Sequence, residues 1–314
     1  METINLAGLY PYFRLLAPFH VRTGFRLVAP LVAQRLRVRL ENKRWDLLWV
    51  DGGPELSPGF YRWARVKGKP IVNYNCDNPF VSRDHRKWDL YRKCLPFHDL
   101  TLLPRPQNIR AAAARGAKNT FLVSHAYDPV AHDPCQIRDA HRGSRPLLFI
   151  GSWMPERGPF MTTLIKARMP LQIFGDHWAK APEWEVLRNV WQGPAVYGPS
   201  YVRLVLEGRV ALGLLSAGNE DDHTQRSLEI PFIGGAVFCA QRTPKHQEMY
   251  REGEDAVFWE DPEECAIRVR QLLQNPQKCA TMAQKARQRV LSLKTSNDEI
   301  LARALSQVRQ GRNP

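Results

Sequence analysis

The chain of 314 residues is long enough for two α/β domains that each have their own hydrophobic core. With 44% hydrophobic and 24% charged residues, its composition is that of a globular protein and excludes a fibrous or largely disordered chain. The formal charge of +14 predicts an anionic partner, for which diphosphates, anionic lipids and nucleic acids all qualify. Nucleic acid is disfavoured because no zinc-finger spacing or RNA-binding motif is present.

The first 44 residues are strongly basic and rich in aromatic side chains, with only Glu2 and Glu41 as acidic residues. This mixture is typical of a peripheral contact with an anionic membrane, although a basic helix that covers one side of the first domain explains the same pattern. The residues concerned are Arg14, Arg22, Arg26, Arg35, Arg37, Arg39, Lys43 and Arg44 among the basic ones, and Tyr10, Tyr12, Phe13, Phe19 and Phe25 among the aromatic ones.

Residues 45–125 alternate short apolar runs with stretches of helical pattern. The predicted strands are WDLLWVD, PIVNYNCD, DLTLL and NTFLVSH, and the predicted helices lie near residues 60–67, 84–93 and 106–115. Strands separated by helices of this length indicate a parallel sheet, and therefore a Rossmann-like domain.

The same rhythm restarts at RPLLFIGS, residues 145–152, and continues through PLQIFG, VALGLL, GGAVFCA and DAVFW. The intervening stretch SHAYDPVAHDPCQIRDAHRGSRP is poor in apolar residues and is predicted to be a linker. We therefore expect two Rossmann-like domains, residues 1–140 and 141–314. The helical stretch 295–310 is a candidate tail that crosses back to the first domain.

Cysteine usage and hydropathy indicate where the protein works. The six cysteines are scattered without metal-ligand spacing, which favours a reduced protein. No apolar run approaches the roughly 20 residues of a membrane span, and the N-terminus lacks a signal-peptide pattern. The expected location is the cytoplasm, with peripheral membrane contact if residues 1–44 bind lipid.

Neither half contains GxGxxG, a P-loop or Asp-x-Asp, so a diphosphate site in this chain is expected to use arginine and helix N-termini rather than a metal ion. The string FIGSWMPERGPF suggests such a site, because a strand ends at Ile150, a turn at Gly151 and Ser152 follows, and Arg157 precedes the next helix. The alternative is an exposed arginine in an ordinary turn.

A second candidate site is GNEDDHTQRSLEIPFIGGAVFCA, which follows the strand VALGLL. Thr224 is predicted to cap a helix whose first backbone amides could bind an anion. Arg226 and Glu229 are three residues apart and share a helical face, and Pro231 with the following glycines ends the helix early. The carboxylate of Glu229 could accept hydrogen bonds from a ribose diol, or it could form only a surface pair with Arg226.

Several of these strings resemble the spore-maturation CgeB-type glycosyltransferases over about residues 45–292. The similarity is carried by DDHTQRSLEIPFIGGAVFCA, EGEDAVFWEDPEECAIRVRQLLQNP, LLFIGSWMPERGPF, LQIFGDHW, WDLLWVDGG, PIVNYNCDNPF and SHAYDPVAHDP. The resemblance implies a GT-B fold, in which two Rossmann-like domains face a cleft, and hexosyl transfer from a UDP- or GDP-sugar without metal or cofactor. Residues 1–140 would form the acceptor-side domain and residues 141–314 the donor-binding domain.

The resemblance also implies residue roles. Related retaining enzymes hold the donor with two acidic residues that have seven residues between them, and Asp221 and Glu229 have this spacing, with Asp in place of the first Glu. Family members begin with a strand and a glycine loop ahead of the basic helix, so the first βα unit is expected to be missing or rewritten here. The predicted donor-binding residues are Gly151, Ser152, Arg157, Asp221, Asp222, Thr224, Gln225, Arg226 and Glu229.

Two residues are candidates for a catalytic role in the first domain, Asp77 at the end of a strand in NCDNP and His125 in the linker. An inverting enzyme needs a general base that works near neutral pH, which histidine meets without tuning and aspartate only after burial. His125 could instead be a hydrogen-bonding linker residue, and His132 and His141 are assigned no role.

The acceptor, a glycan, a protein or a lipid-linked molecule, stays open. Two other functions also stay open: a catalytically inactive sugar-nucleotide-binding protein of envelope or polysaccharide assembly, and a basic module that binds nucleic acid or a membrane surface.

Overall fold

The structure is a computed structural model that describes residues 2–10 and 13–310, without the side chains of residues 13 and 14. Tyr12 of the basic and aromatic segment therefore lies outside the described residues. The chain separates into two compact units, Met1–Ser124 with Leu301–Pro314 and His125–Ile300. Each unit is built around one parallel sheet, so the predicted α/β class with two Rossmann-like domains is confirmed.

The first unit has a four-stranded sheet of order β1-β2-β3-β4 in which all neighbouring strands are parallel. In the described residues ahead of β1 there are helices but no strand. The strands are β1 (Leu48–Asp51), β2 (Ile71–Tyr74), β3 (Leu100–Leu103) and β4 (Thr120–Leu122). The helices are α1 (Phe13–Arg22), α2 (Ala29–Leu40), α3 (Pro58–Val66), α4 (Asp89–Cys94) and α5 (Pro106–Ala113).

The second unit has a six-stranded parallel sheet of order β10-β9-β8-β5-β6-β7. Its strands are β5 (Arg145–Ile150), β6 (Leu171–Phe174), β7 (Trp191–Gly193), β8 (Gly208–Gly213), β9 (Val237–Gln241) and β10 (Val257–Trp259). Its helices are α6 (Arg157–Lys166), α7 (Trp184–Leu187), α8 (Gly198–Glu207), α9 (Arg226–Ile233), α10 (Pro244–Met249), α11 (Pro262–Leu273) and α12 (Pro276–Ser292). The last helix, α13 (Asn297–Gln310), starts in this unit, and from Leu301 the chain groups with the first unit.

The central strands of the second sheet are buried on both faces, which explains their continuous apolar sequence. In β5, Leu147 and Phe149 belong to one hydrophobic cluster, whereas Ile150 belongs to the cluster on the opposite face. In β8, Leu212 and Ala211 divide in the same way. Helices therefore cover both sides of the sheet, as the alternation of strands and helices predicts.

The boundary expected near residue 140 falls inside the second unit, which already begins at His125. The polar stretch that follows is held by packing that its composition does not reveal. The ring of Tyr127 stacks on Phe232 with 4.2 Å between centroids, and the Asn297 N–H donates to the Tyr127 carbonyl at 2.9 Å. Because these contacts tie the stretch to α9 and to the start of α13, it behaves as part of the second unit.

Within the described residues, no helix is both long enough and apolar enough to cross a membrane.

Candidate functional site

The second sheet has a topological switch point between β5 and β8. From β5 the chain adds β6 and β7 on one side and then returns to place β8, β9 and β10 on the other. Open α/β sheets bind ligands outside the carboxyl ends of the strands at such a point. The two helices that leave these strands, α6 and α9, both begin at an arginine, Arg157 and Arg226.

Arg157 is buried, with 7% of its surface exposed, and it connects the ends of the two switch strands. Its Nη1 donates to the Ser152 carbonyl at 2.7 Å, on the turn after β5. Its Nη2 lies 3.4 Å from the carbonyls of both Leu214 and Leu215, which follow β8. The interpretation of Arg157 as an exposed turn residue is therefore wrong. Arg157 is also the first residue of α6 rather than a residue ahead of it.

Arg226 makes the reciprocal connection from the other helix. Its Nε donates to the carbonyl of Ile150, the last residue of β5, at 3.3 Å. Its Nη1 donates to Oε2 of Glu229, and its guanidinium lies 4.2 Å from the ring centroid of Tyr201. Burial alone would lower the pKa of Arg226, but Tyr201 and Glu229 raise it above its ordinary value.

Two guanidinium groups and the N-termini of two helices thus meet at one edge of the sheet. The unpaired amides of a helix N-terminus carry partial positive charge, and an arginine adds a full charge with several directed donors. The arrangement favours an anionic ligand at the switch point.

The turn at Gly151 and Ser152 is fixed by close packing. The Gly151 N–H donates to the Phe174 carbonyl at 2.8 Å, and the Gly151 carbonyl accepts from Nε1 of Trp178 at 2.9 Å. A Cβ on Gly175 would lie 2.0 Å from the Gly151 carbonyl oxygen, so only glycine fits at the end of β6. The strings FIGS and QIFG therefore end neighbouring strands, β5 and β6, whose glycines pack against each other.

The loop between β8 and α9 carries Asp221 and Asp222, and it is joined to the start of α6. The Ala217 N–H donates to the Glu156 carboxylate at 3.2 Å. Asp222 Oδ1 lies 2.6 Å from Nδ1 of the buried His223. Burial alone would raise the pKa of Asp222, but the hydrogen bond with His223 lowers it.

The predicted cap at Thr224 is wrong. Helix α9 begins at Arg226, with Gln225 in the N-cap position and no side-chain hydrogen bond to the first amides. The Thr224 backbone N–H instead donates to Oγ of Ser227 at 3.1 Å. The serine that accepts this hydrogen bond lies in the first turn of α9. The helix therefore begins at Arg226, two residues after the predicted start at Thr224. The helix ends at Ile233 with Gly234 at φ +70°, as the pattern of proline and glycines predicts.

Glu229 is 6% exposed, and each of its carboxylate oxygens has a charged or polar neighbour. Oε2 accepts from Arg226, and Oε1 lies 3.7 Å from Nε2 of His132. Nδ1 of His132 accepts from the Asp128 backbone N–H at 3.1 Å, so the proton of the neutral ring is on Nε2 and faces Glu229. The predicted Arg226–Glu229 pair forms and is partly buried, because the Glu229 side chain is 8% exposed and that of Arg226 is 32% exposed.

His132 is a residue that sequence reasoning missed. It lies in a stretch rich in Asp and Pro, where nothing local distinguishes it from His141. Its contact with Glu229 spans almost a hundred positions of the chain, and periodicity carries no signal over such a separation.

The two catalytic candidates lie in different units. Asp77 follows β2 and pairs with Nζ of Lys87 at 3.2 Å. Asp51 ends the neighbouring strand β1, and partial removal from water raises the pKa of its carboxyl, as does the charge of Asp77. The sequence pattern does not single out Asp51, although both carboxylates lie at the carboxyl ends of strands of the first sheet.

His125 was expected in the first domain but groups with the second unit. It is 6% exposed, and its backbone N–H donates to Nε2 of His223 at 3.4 Å. The two imidazole rings meet edge to face, with 5.0 Å between centroids. This contact with the β8–α9 loop explains why the residue belongs to the second unit.

No three His, Cys, Asp or Glu side chains come together as a potential metal site in the part of the chain that the structure describes.

Residues 157–305, which include both switch-point arginines, match the family described as glycosyl transferase-like. No curated protein sequence matches the chain.

The chain is similar in structure to several solved proteins. Sucrose-phosphate synthase from Thermosynechococcus elongatus has 14% identity and a TM-score of 0.63, with 92% of this chain and 79% of that chain covered. HepE of Anabaena, solved with UDP-glucose, has 16% identity and a TM-score of 0.60, with 95% and 89% covered. A TarM variant of S. aureus, solved with UDP and glycan ligands, has 14% identity and a TM-score of 0.60, but only 58% of that chain is covered. At these identities the likeness shows the fold, which is GT-B.

Proposed function

We propose that the chain is a metal-independent glycosyltransferase of the CgeB type, which moves a hexose from a UDP- or GDP-sugar to a glycan, protein or lipid-linked acceptor. The observation that carries the proposal is the reciprocal pair of arginines at the switch point of the second sheet. Arg157 and Arg226 begin the two helices there, and each donates to the end of the opposite strand. A diphosphate carries the charge and the acceptor oxygens that such an edge would bind.

Four other predicted residues have roles in this proposal. Glu229 would hold the ribose hydroxyls, because a carboxylate accepts from both hydroxyls of a cis diol. Asp221, in the loop that precedes α9, would contact the sugar. Asp77 and His125 are the candidates for the general base of an inverting reaction.

The experiment that tests the proposal is a panel of UDP- and GDP-sugars with the full chain, with and without EDTA. We expect donor binding, measured by thermal shift, and release of nucleoside diphosphate to be unchanged by EDTA, because cationic side chains would take the place of a metal ion. An absolute requirement for magnesium or manganese would contradict metal independence. Binding without any hydrolysis or transfer would favour the catalytically inactive sugar-nucleotide-binding protein.

His132 offers a second test of the same site. We expect His132→Gln to weaken sugar-nucleotide affinity by about threefold to tenfold, because the Oε1 side of Glu229 loses its imidazole neighbour and the carboxylate is less firmly oriented. The control is His141→Gln, in the same polar stretch, which should leave affinity unchanged. Isothermal titration measures both. If His132→Gln lowers the melting temperature without changing affinity, His132 only supports the fold.

We also propose that residues 1–44 bring the enzyme to an anionic membrane. The observation that favours this contact is the exposure of apolar side chains within the basic segment, with Leu15 79% and Leu27 65% exposed. Nucleic acid is the competing anionic partner. If the chain binds nucleic acid and a nucleoside diphosphate does not displace it, a basic nucleic-acid-binding module is favoured over binding at the donor site.

A further inference from the structure

Helix α1 has an apolar face on the outside of the first unit. Leu15 is 79% exposed, and Leu16 and Phe19 are 42% and 49% exposed. Leu15 and Leu16 precede Phe19 by four and three positions, so both lie next to Phe19 on one side of the helix. In the turn after the helix, Leu27 is exposed as well.

Other side chains of the same segment are firmly packed. His20 is 4% exposed, and its ring meets that of Tyr10 at 5.3 Å and that of Phe25 at 6.3 Å. Tyr10 and Phe25 belong to the hydrophobic cluster of the first unit. The segment is therefore packed on the first unit. Its exposed leucines and Phe19 are not members of the hydrophobic cluster of that unit. Clustered exposed apolar side chains of this kind mark interaction sites.

The segment that contains this face is rich in basic side chains. Segment 1–44 contains eight arginine and lysine residues against Glu2 and Glu41. Arg26 pairs with Asp89 at 3.2 Å and Lys43 pairs with Glu2, so part of the charge is compensated within the protein. The exposed basic residues are Arg22, Arg26, Arg35, Arg39, Lys43 and Arg44.

We propose that α1 and the turn after it form a bilayer-binding surface, in which Leu15, Leu16, Phe19 and Leu27 enter the interfacial region of an anionic membrane. Arg22, which follows Phe19 by three positions and is exposed, then lies among the lipid headgroups. Charge complementarity selects this partner, because an exposed apolar face in a strongly basic segment matches an acidic bilayer better than it matches a second copy of the same basic chain. The surface refines the proposed membrane contact and does not depend on sugar transfer.

The test is vesicle flotation of the full chain without donor. We expect binding to phosphatidylcholine vesicles that contain phosphatidylglycerol, little binding to pure phosphatidylcholine, and weaker binding at high salt. The double variant Leu15→Ser/Phe19→Ser should lower the affinity for acidic vesicles by roughly tenfold or more, because two apolar side chains no longer leave water.

The matched control is Ile267→Ser/Leu291→Ser, which removes two exposed apolar side chains from the second unit, 52% and 47% exposed. It should bind vesicles as the unchanged protein does. Equal binding to neutral vesicles, or unchanged binding by the α1 double variant, would overturn the proposal. A third outcome would also overturn it: the unchanged protein sediments as a dimer and does not bind vesicles, and the α1 double variant sediments as a monomer. Sugar-nucleotide affinity, measured on the same variants, should not change, and it separates a failure here from a failure of the transferase proposal.

Discussion

Glu229→Gln is expected to lower sugar-nucleotide affinity by about tenfold to a hundredfold while the chain stays folded. A hydrogen bond to a charged group contributes about 1.5 to 3 kcal/mol, and an amide offers one acceptor atom where the carboxylate offers two. Oε2 of Glu229 accepts from Arg226, so the amide oxygen of a glutamine is expected to keep that position. The amide nitrogen then replaces Oε1, and the acceptor on that side is lost. Isothermal titration with UDP and GDP measures the loss.

Two measurements separate this role from a structural one. The loss should shrink for a nucleotide that lacks one ribose hydroxyl, because the substitution then removes a contact that is already gone. The matched variant is Glu207→Gln, since Glu207 is also buried and accepts from Arg145 at 2.9 Å, but at the start of β5 and β8 rather than at their carboxyl ends. It should lower stability and leave affinity unchanged. If Glu229→Gln behaves like Glu207→Gln, Glu229 is only a structural partner of Arg226.

The sequence predicts most of the sheet because buried parallel strands are continuous apolar runs. RPLLFI, LQIF and VFCAQ lie in β5, β6 and β9 where the pattern places them. The sequence does not predict strand β7, because this three-residue strand at the sheet edge, WQG, has no apolar run. Helix α4 begins at Asp89 rather than near residue 84, because the preceding residues form turns in which Nε1 of Trp88 donates to Asp84 at 3.0 Å.

The sequence predicts where in the second sheet the candidate site lies, but not which groups its residues contact. A strand end followed by a polar turn marks the edge at which ligands bind, and this rule identifies Arg157 and Arg226. Their partners could not be found in this way, because Arg157 reaches carbonyls 57 and 58 positions later in the chain and Arg226 reaches one 76 positions earlier. Backbone carbonyls carry no side-chain identity, so no residue pattern records them. The contact of His132 with Glu229 is also distant in sequence, so the local pattern gives His132 no role. Thr224 has the residue type of a cap, but its backbone N–H donates to the nearby hydroxyl of Ser227.

Arg157→Ala is expected to weaken nucleoside diphosphate binding by about tenfold to a hundredfold and nucleoside binding much less. The substitution removes a positive charge at the N-terminus of α6, and a charge-assisted contact to a phosphate is worth about 1.5 to 3 kcal/mol. It also releases the carbonyls of Ser152, Leu214 and Leu215, which the guanidinium holds together across the switch point. We therefore expect a lower melting temperature as well as the selective loss of the diphosphate.

Two variants separate the charge from the connection. Arg157→Lys keeps the charge, but an ammonium group cannot span three carbonyls as a planar guanidinium does, so it should retain more diphosphate affinity than alanine while losing similar stability. Arg145→Ala removes an arginine from the opposite end of β5, where it pairs with Glu207, and should cost stability without changing the preference for the diphosphate. Titrations of UDP and uridine against all three variants give the comparison. An equal loss of UDP and uridine on Arg157→Ala would mean that Arg157 only organises the loops, and that the diphosphate is held by other groups of this edge, with Arg226 the first to examine.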